Sequence, residues 1–192
     1  MKTENEITVL VKCDYETLKN ELMKNNFKII EEFQLNDIYM IDKNVDLTKL
    51  SNLDILKKCI LVRDVVNIEK LLVYKYKEYS ENWDIIKQWK VECPITDISK
   101  AIEFMKSIHY EILFEINDKC IVFANNETEL MVQIVNSKHL FIEMESKCMH
   151  INRTYVSEQE MIDNLNGYNL SIDKSNYFAK KAEIVLDETL NR

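Results

Sequence analysis

Apolar and polar side chains alternate along most of this chain, which marks it as a chain of strands. Between Glu6 and Cys13 one face carries Ile7, Val9 and Val11, and the other carries Glu6, Thr8, Leu10 and Lys12. The same period predicts strands over 27–33, 38–41, 59–66, 71–76 and 83–93. It returns over 110–116, 119–124, 129–135 and 140–146. Turn chemistry separates these runs at 34–37, 66–69, Asn117-Asp118 and Asn125-Asn126, and Pro94 closes the run before it.

A helical period interrupts the pattern. Asp14 can cap a helix with Tyr15, Leu18, Leu22 and Met23 as its apolar stripe. Asp97 or Ser99 can start another, facing Ile98, Ala101, Ile102, Met105 and Ile108 inward. Ser157-Glu158-Gln159-Glu160 reads as a capping box, with Gly167 at the C′ position, and a last helix is predicted over 175–189. Residues 46–58 fit either a short helix or an irregular link. Hairpins dominate, so the order implies an antiparallel sheet or barrel with helices outside, not a parallel crossover fold. No linker or low-complexity run divides the chain, and a single domain is expected over 1–192. The two halves look like one plan used twice, each with a helix near its start.

Composition sharpens this. The chain has one Gly in 192 residues, where average usage gives roughly 13. Glycine-rich phosphate loops are thereby excluded, and the turns fall to Asn, Asp, Ser and Lys. A net charge of −8 argues against wholesale nucleic-acid binding. The five cysteines are scattered without a Cys-x-x-Cys pair, and the three histidines form no metal-spaced motif. A polar N-terminus and the lack of a long apolar run suggest a cytoplasmic protein with no membrane partner.

The candidate chemistry sits on strand faces. In 140–146, Leu140, Ile142 and Met144 share one face, and Phe141, Glu143 and Glu145 the other. Two neighbouring carboxylates make either a wet acidic face or a hard-cation site lining a lumen. Arg63 shares a face with Leu61, Lys75 with Val73 and Lys77, and Lys90 with Gln88 and Glu92. A barrel can point its apolar faces inward, or outward against helices with charges inside, and alternation leaves both open.

Five short pieces occur in a telling order: Gln34-x-x-Asp37-Ile38-Tyr39, Val62-Arg63-Asp64, Tyr74-Lys75, Phe141-x-Glu143-x-Glu145 and Ser175-Asn176-Tyr177. Through them the chain resembles the CYTH superfamily, the triphosphate tunnel proteins that include class IV adenylate cyclases and thiamine triphosphatases. The resemblance implies an α+β fold, an antiparallel eight-stranded tunnel-like β-barrel with helices packed outside. It implies magnesium or manganese on Glu143, Glu145, Glu6 and Glu92. It implies a phosphorylated small molecule on Arg63 and Lys75; Lys90 and Lys12, which depart from the family pattern, are added as candidate ligand-binding cations. No catalytic residue is assigned.

The departures fall mostly on cationic positions. Glu6-x-Thr8-x-Leu10 stands where the family has Glu-x-Glu-x-Lys, and Lys12 lies a strand step of about 7 Å further along. Leu61 and Arg63 stand for paired arginines, and Gln88-x-Lys90-x-Glu92 for Arg-x-Glu-x-Glu. Ile112, Phe114 and Ile116 occupy the region of a basic pair, and Gln133 the place of an acid. The expectation is a degraded tunnel that binds an anionic ligand with a divalent metal, its catalysis weak or lost. An active triphosphatase or cyclase and a closed-barrel scaffold are the alternatives.

Overall fold

A computed structural model describes residues 5–79 and 85–191, with 76–79 and 85–88 described by backbone only. The expectations for the side chains of Lys77 and Gln88 therefore lie outside the described residues. The strands are β1 (Glu6–Leu10), β2 (Lys28–Asp42), β3 (Ile60–Val65), β4 (Glu69–Tyr79), β5 (Ile85–Pro94), β6 (Tyr110–Ala124), β7 (Glu129–Val135) and β8 (His139–Glu145). The helices are α1 (Tyr15–Lys24), α2 (Asn52–Leu56), α3 (Ile98–Ser107), α4 (Glu158–Asn166) and α5 (Lys181–Leu190). Among the described residues no helix is long and apolar enough to cross a membrane.

Two expected turns are absent. β2 runs unbroken through 34–37, and β6 runs unbroken through Asn117-Asp118. Register overrides local turn preference here. Asn36 and Asp37 pair with Asp64 and Arg63 on β3, and Asp118 pairs with Val135 on β7. The tight turns lie elsewhere. Asn67 has φ 65° between β3 and β4, and Asn136-Ser137 has φ 50° and 56° between β7 and β8, which suits the right-handed twist of a hairpin. Asn125 ends β6 by accepting the Glu127 and Thr128 N–H groups on its side-chain oxygen. Gly167 is the C-cap of α4 at φ −62°, not a left-handed C′ residue. The left-handed positions go to Asn26, Asn67, Asn136, Asn169 and Asn191 among others, since asparagine tolerates that region better than most residues.

The strands form one antiparallel sheet of eight, in the order β1-β8-β7-β6-β2-β3-β4-β5. Among the described residues the sheet does not close, and β1 and β5 are its ends. The outer edge of β1 is taken by a later stretch of the chain. Thr8 N–H donates to the Tyr177 carbonyl, the Thr8 carbonyl accepts from Ala179, and Asp173 N–H donates to the Leu10 carbonyl. This covers an edge that would otherwise invite another strand. It also explains why the last helix begins at Lys181 and not at Ser175, whose neighbours are extended along β1.

The chain divides into two compact units. One holds β3, β4, β5, α2, α3 and α5, with the later part of β2 and the earlier part of β6. There, Met40 and Val62 are buried with Ala101 and Met105 of α3, and Ile38, Ile60 and Leu72 pack at the margin. The other unit holds β1, α1, β7, β8 and α4, with the remaining parts of β2 and β6. Its core joins Ile7, Val9, Val132, Ile142 and Met144 to Leu18 and Leu22 of α1 and to Met161 and Leu165 of α4. In both units the helices cover an apolar sheet face. Within each unit the candidate charged positions, Glu6, Glu143 and Glu145 in one and Arg63, Lys75, Lys90 and Glu92 in the other, lie on the strand face opposite its helices.

The capping box is present in altered form. Ser157 Oγ accepts the Glu160 N–H at 3.2 Å, and the Glu160 carboxylate accepts the Val156 N–H at 2.8 Å, one residue before the cap. Ser157→Ala should cost about 1 kcal/mol. The urea midpoint should fall with an unchanged m-value; no shift would show that the cap contributes nothing.

Candidate functional site

In the unit built on β1 and β8, the acids come together through register. Glu6 lies opposite Glu145, Thr8 opposite Glu143 and Leu10 opposite Phe141. Glu6, Glu143 and Glu145 thus share the face turned away from α1 and α4, with Glu145 exposed and the other two half-buried. On its other side Glu143 meets Met131 in register. Further along, the face becomes closed and neutral: Phe141 is fully buried and pairs with Gln133, which is 1% exposed and pairs with Cys120. The Gln133 Oε1 is buried with no hydrogen-bond partner in the described structure. Lys12 does not point along this face as a substitute cation. Its Nζ lies 3.0 Å from Asp173, whose carboxyl is held at about 2 by the Ser175 and Lys12 hydrogen bonds.

In the other unit, the face opposite α3 carries the cations. Arg63 pairs in register with Asp37 on β2 and Leu71 on β4. One step along, Tyr39, Leu61, Val73 and Glu92 form a row, and Lys75 and Lys90 then stand opposite each other. Arg63, Lys75, Lys90 and Glu92 therefore share one face by register. What had not been read from the sequence is how Arg63 is used. Its Nε and Nη2 donate to Asp37 Oδ1 and Oδ2 at 2.7 and 2.6 Å, a bidentate fork. Burial pushes the Asp37 carboxyl up, but the Arg63 hydrogen bonds and charge, then Lys75 and Lys181, outweigh it and leave the group below its ordinary value. Burial likewise works against the Arg63 charge, and the Asp37 carboxylate more than offsets it.

Beside this pair the face is apolar. Tyr39 stacks on Phe114 with ring centroids 4.3 Å apart, and Leu61, Val73 and Phe114 are all buried. Lys90 Nζ lies 3.2 Å from the Glu92 carboxylate, so Glu92 already has a cation. Among the described residues, no group of three or more His, Cys, Asp or Glu side chains is gathered to hold a metal ion. Of the expected metal ligands, Glu6, Glu143 and Glu145 lie in one unit and Glu92 in the other. Asp37 was the missed member. Its signal was its place in the Gln34-x-x-Asp37 piece, but only register could assign it to Arg63.

No family model matches the chain, and no curated protein matches it in sequence. Solved structures do. A conserved hypothetical protein of Pyrococcus furiosus superposes with a TM-score of 0.65 at 20% identity, covering 95% of this chain and 99% of that one. A protein of Vibrio parahaemolyticus assigned as an adenylate cyclase superposes at 0.59 with 14% identity, covering 100% and 99%. The Hippeastrum adenylyl cyclase candidate HpAC1, which has a dominant triphosphatase activity, superposes at 0.61 with 12% identity, covering 97% and 96%.

The likeness shows the fold. It is the fold of eight antiparallel strands with helices packed against them, as the resemblance implied.

Proposed function

We propose that this chain is a CYTH-like protein with a degraded triphosphate site, which binds a phosphorylated anion in the company of a divalent ion and turns it over weakly or not at all. One observation carries the anion reading. Lys75 and Lys90 stand directly opposite each other on β4 and β5, on the face that also carries Arg63. The face carries the three cations Arg63, Lys75 and Lys90, with Asp37 on Arg63 and Glu92 beside Lys90, and a cluster of cations of this kind draws an anion. The likeness to HpAC1 and to the Vibrio protein supports a phosphorylated compound as that anion.

For the unit built on β1 and β8, taken by itself, we propose magnesium or manganese as a ligand of its acids. Magnesium keeps several of its waters and needs only one or two carboxylates from the protein. Glu6 with Glu145, or Glu143, fits that modest demand, whereas a cage of protein ligands is not formed among the described residues. The chemistry such an ion supplies is neutralisation of phosphate charge. The chain's own residues contribute less than the resemblance demands. Arg63 spends two of its N–H groups on Asp37, and the partner arginine position is Leu61.

The test is calorimetry with tripolyphosphate and magnesium. Wild type should bind, and the double variant Lys75→Ala/Lys90→Ala should bind at least about tenfold more weakly, which corresponds to about 1.4 kcal/mol. An affinity unchanged in the double variant would end the proposal. Absence of any binding would favour the scaffold reading, which the buried Tyr39–Phe114 stack and Leu61 support.

A further inference from the structure

The α3 side of the same unit holds a second place where a small molecule fits. Met40 and Val62 are covered there by Ala101 and Met105. One step along the strands the same face carries Ile60, Tyr74 and Val91 in register, and the cover stops. Tyr74 is 39% exposed and Val91 58% exposed. Next to them is a cavity of about 780 Å³, floored by Ile60, Tyr74 and Tyr110 and walled by the β2–α2 connection and by Lys57 and Lys58. That volume lies in the range of small-molecule sites, which run to roughly 300–1,000 Å³.

The polar groups around it are not equivalent. Its two acids are already supplied with donors. Asp42 accepts from the backbone and side-chain nitrogens of Asn44, and Asp54 accepts from Ser51 Oγ and Lys57 Nζ. Among the described residues, no hydrogen bond or ion pair occupies the Tyr74 or Tyr110 hydroxyl or the Lys58 ammonium. Asp54 feels the charge of the exposed Lys58, but the Lys58 ammonium and the two phenols are held by no hydrogen bond or ion pair among the described residues and stand beside an apolar floor. We infer that this cavity binds a planar aromatic small molecule bearing an anionic group, its ring on Tyr74 and Tyr110 and its carboxylate or phosphate on Lys58. This site is separate from the proposed triphosphate face, because Tyr74 and Lys75 are neighbours in one strand and point to opposite sides of it.

The probe is 2-naphthoate, titrated into the full chain by calorimetry and by amide NMR. Binding with a Kd between micromolar and millimolar is expected, with shifts concentrated at Ile60, Tyr74 and Tyr110. Lys58→Ala and Lys58→Glu, at an exposed position, should each weaken it at least tenfold with the unfolding temperature unchanged. The cationic isostere 2-naphthylmethylammonium should bind at least tenfold more weakly than the anion. Lys75→Ala should leave naphthoate binding unchanged, and Lys58→Ala should leave tripolyphosphate binding unchanged, so the two sites succeed or fail separately. The inference is overturned by no binding at millimolar probe, by equal binding of the cation, or by indifference to both Lys58 variants.

Discussion

Replacing Asp37 with alanine while Arg63 stays in place should cost roughly 3–5 kcal/mol of stability. Asp37 is 2% exposed and the Arg63 side chain 17% exposed, so the substitution strands a guanidinium away from water with two donors unmet. A chain of this size has on the order of 5–15 kcal/mol in hand, so the loss should be visible as a large drop in the urea midpoint. Asp37→Leu/Arg63→Met removes both charges and should recover much of it, because a buried pair is often replaceable by well-packed apolar residues. A single variant that loses under 1 kcal/mol would show that the pair is solvated in solution. The sign with pH follows from the lowered Asp37 carboxyl. Its contribution is fully present above the unfolded value of about 4 and is lost as pH falls through the lower folded value. The gap between wild type and the double variant should therefore move against wild type below about pH 4 and stay flat from pH 5 to 8.

The elements of this fold were legible because alternation and helical period both report burial. Ile7, Val9, Ile142 and Met144 were read as sharing strand faces, and the structure buries all of them under α1 and α4. Two things were not legible. Asn117-Asp118 and 34–37 carry turn residues, yet both are held extended by partners distant in sequence, which a local reading cannot see. The direction of the apolar faces was open for the same reason: alternation says that two faces differ, and only helix packing says which one is covered. At the candidate site, sequence placed Arg63 with Leu61, Lys75 with Val73 and Lys90 with Glu92, each within its own strand, and only register joins those faces. Sequence could not show that Asp37 and Glu92 already engage Arg63 and Lys90. A cation's side of a sheet is a matter of parity, but its partner is a matter of register across strands.

Turnover of ATP or tripolyphosphate with magnesium or manganese should be at least about a hundredfold below that of HpAC1 assayed alongside. Removing one preorganised donor from a developing charge typically costs roughly 2.7–4 kcal/mol of barrier, about 10²–10³ in rate. Here Leu10 and Leu61 supply no cation at all, and Arg63 is held by Asp37 in a geometry aimed at a carboxylate. Losses at neighbouring positions need not add, so the bound is set by one such loss and not by a sum. Restoring the cation by Leu61→Arg alone should not raise the rate. Leu61 is 1% exposed and flanked in register by Tyr39 and Val73, so a guanidinium there is buried among apolar groups and the unfolding midpoint should drop instead. Robust wild-type hydrolysis that falls with Glu143→Ala would mean that this chain has rebuilt a working site from other residues, and that the acids on β1 and β8 serve an enzyme after all.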